Sequence, residues 1–230
     1  MALSEPTDVF DAGAFAQFAL ELHDAAGVDE TLETVLQFAL QAANCTYAGV
    51  ALAARGDRAE VGAVTAPVVD TLYRVQIEAD EGPMLTALTG DTVTVPDVAT
   101  DNRWPSWQTA AVAAGIGSVL QVPMKVSDQT TGVLSLYDAE PNAFTVDDEA
   151  IAHILARHAS VAVATARHEL SMAQAVDARK LVGQAMGILM ERFDITADQA
   201  FAVLRRYSQD TNTKLRDVAE QLIQTRKLPH

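Results

Sequence analysis

Seven of the eight prolines fall at or before Pro141, and the next is Pro229. A proline inside a helix removes a backbone hydrogen bond and clashes with the preceding turn, so the segment between these two is free to run as long helices. Thr145 is a good N-cap for the first, with Asp147, Asp148 and Glu149 in the turn where the helix dipole favours acids. From there Ile151, Leu155, His158, Ala162, Thr165, Glu169, Met172 and Val176 step by four and three, the heptad spacing of a helix that packs along another. The seam is poor in Leu and Ile, so it predicts one helix with two roles. It covers a domain core and continues, from Val146 to about Arg192, into the next domain.

The proline-containing part mixes periods of 3.6 and 2. Asp8–Leu22 reads as a helix, and Gly27-Val28 breaks it. Asp29 is placed to cap a second helix with Leu32, Val35, Leu36, Ala39, Leu40 and Ala43 on one face. Thr46–Ala54 and Ala59–Thr65 are apolar runs joined by the turn Arg55-Gly56-Asp57-Arg58. Pro67 opens a helix through Ile77, and Glu81-Gly82-Pro83 starts a short one through Leu88. Strands are expected at Thr92–Pro96, Ser118–Val126 and Thr131–Tyr137, with an irregular, partly helical stretch from Asp97 to Ala114. Strands and helices without strict alternation predict an α+β domain, an antiparallel sheet flanked by helices.

Among the 230 residues, 49% are hydrophobic, enough for a packed core and too many for a disordered chain. The lone Cys45 excludes an intramolecular disulfide and fits a reducing compartment. No apolar run is long enough to cross a membrane, and MALSEPTDVF lacks the regions of a signal peptide, so a cytoplasmic protein without a membrane partner is expected. The net charge of −15 is unevenly spread. Met1–Glu169 holds 7 basic and 24 acidic residues, whereas Leu170–His230 holds 9 basic and 7 acidic. An acidic body with a weakly basic tail keeps a nucleic-acid partner open for the tail alone.

Reactive groups do not gather. His153 and His158 are five apart on a helix, about 140° around its axis at 100° per residue, and do not converge as ligands. His168 lies further along the same helix, and Cys45 sits where a free cysteine serves as a small hydrophobe. Ala114-Gly115-Ile116-Gly117-Ser118 leads into a strand instead of a helix N-terminus, unlike a phosphate loop. These features point to a protein that is not an enzyme, with no catalytic residues, metal or cofactor.

Several stretches carry a resemblance. These are the helix Asp29–Asn44, the strand Tyr47–Leu52, the segment Asp80-Glu81-Gly82-Pro83-Met84, and the pair Ser118–Met124 and Gly132–Tyr137. Together they resemble the GAF family of small sensory domains, which implies a sensor or dimerisation module over residues 27–168, after an N-terminal helix in residues 1–26. The resemblance allows a small-molecule ligand, and Trp104 and Trp107 are the candidate pocket walls. Asn102-Arg103-Trp104-Pro105 departs from the cyclic-nucleotide pattern, and Cys45 comes too early for bilin attachment.

The tail reads as three helices, Val176–Phe193, Ala197–Gln209 and Lys214–Thr225, with a capping box at Thr196-Ala197-Asp198-Gln199 and Asn212 or Thr213 able to cap the third. Leu181, Ile188, Leu189, Ala200, Phe201, Leu204, Leu215, Val218, Ala219 and Leu222 suffice for a small core. Gly183–Phe193, Gln199–Gln209 and Asn212–Ala219 resemble an ANTAR domain across residues 169–230, with Met186 where lysine is usual in the family. This resemblance implies binding of tandem stem-loops in nascent RNA and antitermination of transcription. Arg192, Arg205, Arg206, Lys214 and Arg216 are the expected phosphate contacts, Asn212 heads the last matching segment, and Tyr207 is placed to stack on an unpaired base. Ala185 and Gly187 are small enough to allow close approach. A homodimer through the long helix is expected. Two alternatives stay open on the residues alone: a ligand-sensing or dimerisation protein that does not bind RNA, and a DNA binder using Lys214–Ala219 as part of a helix-turn-helix.

Overall fold

The computed structural model describes residues 12–43, 45–54 and 58–227. Val9, Phe10 and the turn at residues 55–57 lie outside them. The chain divides into two compact units, Met1–Arg167 and His168–His230.

In the first unit the described residues form a five-stranded antiparallel sheet in the order β2-β1-β5-β4-β3, from β1 (Tyr47–Ala53), β2 (Ala59–Val64), β3 (Val93–Val95), β4 (Ser118–Val126) and β5 (Gln129–Asp138). Both faces are covered, which is why β1 is buried at five consecutive positions instead of alternating. One face carries Leu120, Val122, Met124, Leu134 and Leu136 against three helices: α1 (Ala12–Asp24), α2 (Val28–Ala42) and the start of α6 (Val146–Phe193). Helix α2 buries Leu32, Val35, Leu36 and Ala39, one stripe at helical spacing. Gly27 occupies its N-cap position without a side-chain bond, so Asp29 lies in the first turn and is not the cap. Phe18 of α1 packs on Phe38 of α2, ring centroids 4.6 Å apart. The opposite face carries Val119, Val133 and Tyr137 beneath α3 (Pro67–Ala79), α4 (Pro83–Leu88) and α5 (Pro105–Ala113).

Helix α6 is continuous over 48 residues. Thr145 and Asp148 cap it reciprocally: the Asp148 amide donates to Thr145 Oγ1 at 3.2 Å, and the Thr145 amide donates to Asp148 Oδ2 at 2.8 Å. Ala152, Leu155, Ala156, Ala159 and Val163 enter the core of the first unit. Burying a leucine such as Leu155 contributes about 1.5–3 kcal/mol. The expected heptad seam is therefore corrected in register. Leu155 is fully buried, and Ile151 and Ala162 pack on the same core, so these positions hold the domain together and are not free to pair with another helix. The second unit is a three-helix bundle in which Ala185 and Leu189 of α6 meet Ala200 and Leu204 of α7 (Ala197–Asp210) and Val218, Ala219 and Leu222 of α8 (Leu215–Thr225). The Thr196–Gln199 capping box forms, whereas Lys214 takes the N-cap position of α8, in place of Asn212 or Thr213, without a side-chain bond.

Cys45 is buried with its Sγ 3.7 Å from the Ala39 carbonyl, and burial pushes its thiol up to about 12. The folded protein thus holds this proton after the unfolded thiol has released its own. Cys45 stabilises the fold fully below the ordinary thiol range, and that contribution is lost as pH rises toward about 12. Iodoacetamide at pH 8.5 should leave native Cys45 unmodified and label it after denaturation, as read by intact mass; rapid labelling of the folded chain would contradict this placement. At Gly49 an added Cβ would lie 2.7 Å from Val69 Cγ1 and 2.8 Å from the Tyr73 hydroxyl. Gly49→Ala should therefore lower stability by about 1–3 kcal/mol through overpacking, measured by the denaturant midpoint.

Candidate nucleic-acid interface

Helix α7 buries Ala200 and Leu204 and turns Phe201, Arg205, Arg206 and Gln209 outward. A turn at Thr211 and Asn212 then leads to Lys214 and Arg216, which open α8. Four expected cations consequently flank one helix-helix corner. Arg205 makes no hydrogen bond or ion pair among the described residues. Arg206 lies 3.5 Å from Asp210, with both side chains well exposed, so this pair is weak and can yield to a phosphate. Asn212 sits in the left-handed region at φ 51°, exposed at the corner itself. Arg192 differs: its Nη1 donates to the Arg226 carbonyl at 2.7 Å, and its guanidinium lies 5.6 Å from the Phe193 ring centroid. Arg216 lines a groove of about 360 Å³ between α6 and α8 with Lys180, Asp177 and Glu220, so acids share its surroundings.

Two expectations change. Ala185 is fully buried in the bundle core and presents nothing to RNA, because residues two apart on a helix face nearly opposite sides. Gly187, with Gly183 one turn before it, is on the open side, where an added Cβ would meet nothing within 4 Å. Tyr207 is half-buried against the core, whereas Phe201, assigned to the core from its spacing, is 40% exposed. The signal for this swap was present in the sequence, since Phe201, Arg205 and Gln209 recur every four residues as one outward line.

In the first unit Trp107 is completely enclosed. Trp104 meets it edge to face at 6.0 Å, and the Arg103 guanidinium covers Trp104 at 4.4 Å from its centroid. Hydrogen bonds from Arg103 hold the Asp101 carboxyl below the usual carboxylate range and tie this loop to the sheet through the Thr94 carbonyl at 2.9 Å. The hydroxyl of Tyr73, on α3, lies 2.6 Å from Ser135 Oγ, which lies 2.5 Å from Gln121 Oε1. Burial raises Tyr73 far above the ordinary phenol range and Tyr137 to about 12. Among the described residues no three His, Cys, Asp or Glu side chains gather as metal ligands, and no helix is long and apolar enough to cross a membrane.

Residues 25–164 match the GAF domain family and residues 170–223 the ANTAR domain family. No curated protein matches the sequence significantly. Solved structures share the fold of the first unit at low identity. The GAF domain of an Acinetobacter phosphoenolpyruvate-protein phosphotransferase is 16% identical, with TM-score 0.56, covering 69% of this chain and 97% of its own. A GAF domain/HD domain protein from Geobacter sulfurreducens is 19% identical, with TM-score 0.53, covering 64% and 97%. Free methionine-R-sulfoxide reductase from Neisseria meningitidis, solved with its substrate, is 18% identical, with TM-score 0.55, covering 73% and 98%. At these identities the likeness concerns the fold alone. With its doubly covered antiparallel sheet followed by the three-helix unit, the chain belongs to the GAF domain family and carries an ANTAR domain behind it, the arrangement of a GAF–ANTAR regulator.

Proposed function

We propose that this protein is a cytoplasmic, non-catalytic regulator that antiterminates transcription. Its ANTAR domain grips tandem stem-loops in nascent RNA, and its GAF domain acts as sensor and dimerisation module. The observation that carries the reading is the basic corner between α7 and α8, exposed on the one part of an acidic chain that has a positive balance. Arg205, Arg206 and Lys214 contact phosphates there, with Arg192 and Arg216 in flanking positions. Phe201 offers an exposed ring for stacking, Tyr207 supports the corner from its half-buried place, and Gly187 lets a backbone come close.

Dimerisation uses α6. Rotated from the expected seam, Ile154, His158, Val161, Thr165, His168 and Met172 recur by four and three and are all exposed. Val161 and Met172 are each 57% exposed, a surface with the spacing of a helix pair. A second copy placed there gives each assembly two ANTAR domains. Engaging two hairpins at once then raises apparent affinity through effective concentration.

Gel shifts with a two-hairpin RNA, a single hairpin and duplex DNA test the assignment. The two-hairpin RNA should bind best, with affinity falling steeply as salt rises. Arg205→Ala with Arg206→Ala should weaken RNA binding about tenfold or more while leaving the melting temperature unchanged. Equal affinity in the double variant, or preference for duplex DNA, would overturn the reading.

Val161→Asp with Met172→Asp should convert the dimer to monomer by light scattering and reduce two-hairpin affinity more than single-hairpin affinity. A wild-type monomer at micromolar concentration, with full two-hairpin affinity, would remove the dimer from the mechanism.

A further inference from the structure

The groove of about 360 Å³ between α6 and α8 is lined by charges of both signs. Asp177, Lys180 and Gln184 line it from α6, Arg216 and Glu220 from α8, and Leu181, which packs on the bundle core, supplies its apolar lining. The volume falls at the small end of the range of roughly 300–1,000 Å³ in which ligand sites are found. These charges have ready partners on their own helices. Asp177 and Lys180 are three residues apart and Arg216 and Glu220 four, the spacings at which opposite charges meet along a helix. Among the described residues neither pair closes, and no ion pair crosses the groove. Arg216 instead lies 4.0 Å from Asp217, and Glu220 accepts from Gln224 at 3.3 Å.

The chemistry of an occupant follows from this lining. Two cations and two carboxylates sum to no net charge. An anion alone would sit beside Asp177 and Glu220, and a cation alone beside Lys180 and Arg216, so like-charge repulsion offsets either attraction. A molecule that carries both charges, a few bonds apart, meets both sets with charge-assisted hydrogen bonds. A nucleobase is less suited, because no aromatic side chain lines the groove to stack on it. Leu181 adds one apolar contact, which a hydrocarbon side chain can use.

We infer that the α6–α8 groove binds a small zwitterion, by class an α-amino acid with an apolar side chain. Lys180 and Arg216 hold its carboxylate, Asp177 and Glu220 its ammonium, and Leu181 receives its side chain. The site stands on the groove alone, whereas its consequence rests on the function proposed above. With Arg216 engaged by the ligand, one flanking phosphate contact is withdrawn, so the amino acid lowers the affinity for RNA.

Isothermal titration calorimetry on the full chain at low salt tests the site with L-leucine, N-acetyl-L-leucine and L-leucinamide. Leucine should bind saturably in the millimolar range, because exposed ion pairs are individually weak. N-acetyl-leucine, which lacks the ammonium, and leucinamide, which lacks the carboxylate, should each bind about tenfold more weakly or not at all. Asp177→Asn and Arg216→Gln should each weaken leucine binding about tenfold. Both side chains are exposed, so the melting temperature should stay unchanged. No saturable binding of leucine, equal binding of the three probes, or unchanged affinity in both variants would overturn the inference, the last by placing leucine elsewhere on the chain. Gel shifts with two-hairpin RNA, with and without leucine, separate the site from its consequence. Leucine binding with unchanged RNA affinity keeps the groove and refutes the regulatory link. A chain that binds leucine in the groove but binds no RNA keeps the site and refutes the proposed function.

Discussion

Helix α6 has to satisfy two hydrophobic cores with one uninterrupted backbone. Ala152, Leu155, Ala156, Ala159 and Val163 close one face of the sensor sheet, and Ala185 and Leu189 form a wall of the three-helix bundle. A helix advances 100° per residue, so its identity as a core element at each end is set by which residues fall on the right stripe there. The small residues in both stripes let the helix lie close to the sheet and to its bundle neighbours. Ser160 adds a fixed point, its hydroxyl donating to the Lys125 carbonyl of β4 at 2.7 Å. Helix α6 runs through the boundary between the two units and is the covalent connection between them.

The two faces of the sensor sheet differ in kind. The face under α1, α2 and α6 is mainly aliphatic and aromatic, and Cys45 there is a small hydrophobe whose thiol burial pushes up. The face under α3–α5 holds a polar chain from Tyr73 through Ser135 to Gln121. Gly49 makes the first link possible, because any side chain there would occupy the space of the Tyr73 hydroxyl.

The charge distribution divides the labour again. Long-range repulsion from the acidic sensor would keep nucleic acid away from most of the surface, and only the weakly positive ANTAR domain relieves it. Within that domain the cations are not equivalent. Arg205 has no hydrogen bond or ion pair among the described residues, Arg206 is lightly paired, Arg216 shares a groove with Asp177 and Glu220, and Arg192 is committed to the Arg226 carbonyl.

Much was legible in the chain itself. The absence of proline between Pro141 and Pro229 and the Thr145 and Thr196 caps marked the helices, and turn residues and apolar runs marked the strands; these are local choices, decided by backbone sterics and neighbours a few residues away. The charge asymmetry and both family resemblances were local in the same sense. Tertiary packing alone decided what covers the stripe of α6 that holds Leu155, because four-three spacing marks an apolar stripe without saying whether a sheet or a second helix lies on it. It likewise buried Ala185 and half-covered Tyr207, since three helices can bury only the faces their crossing brings together. The polar layer of the sensor was decided in the same way. Tyr73, Gln121, Ser135 and Tyr137 are unremarkable in sequence, and they meet because antiparallel register sets Gln121 against Ser135 and lays α3 across them.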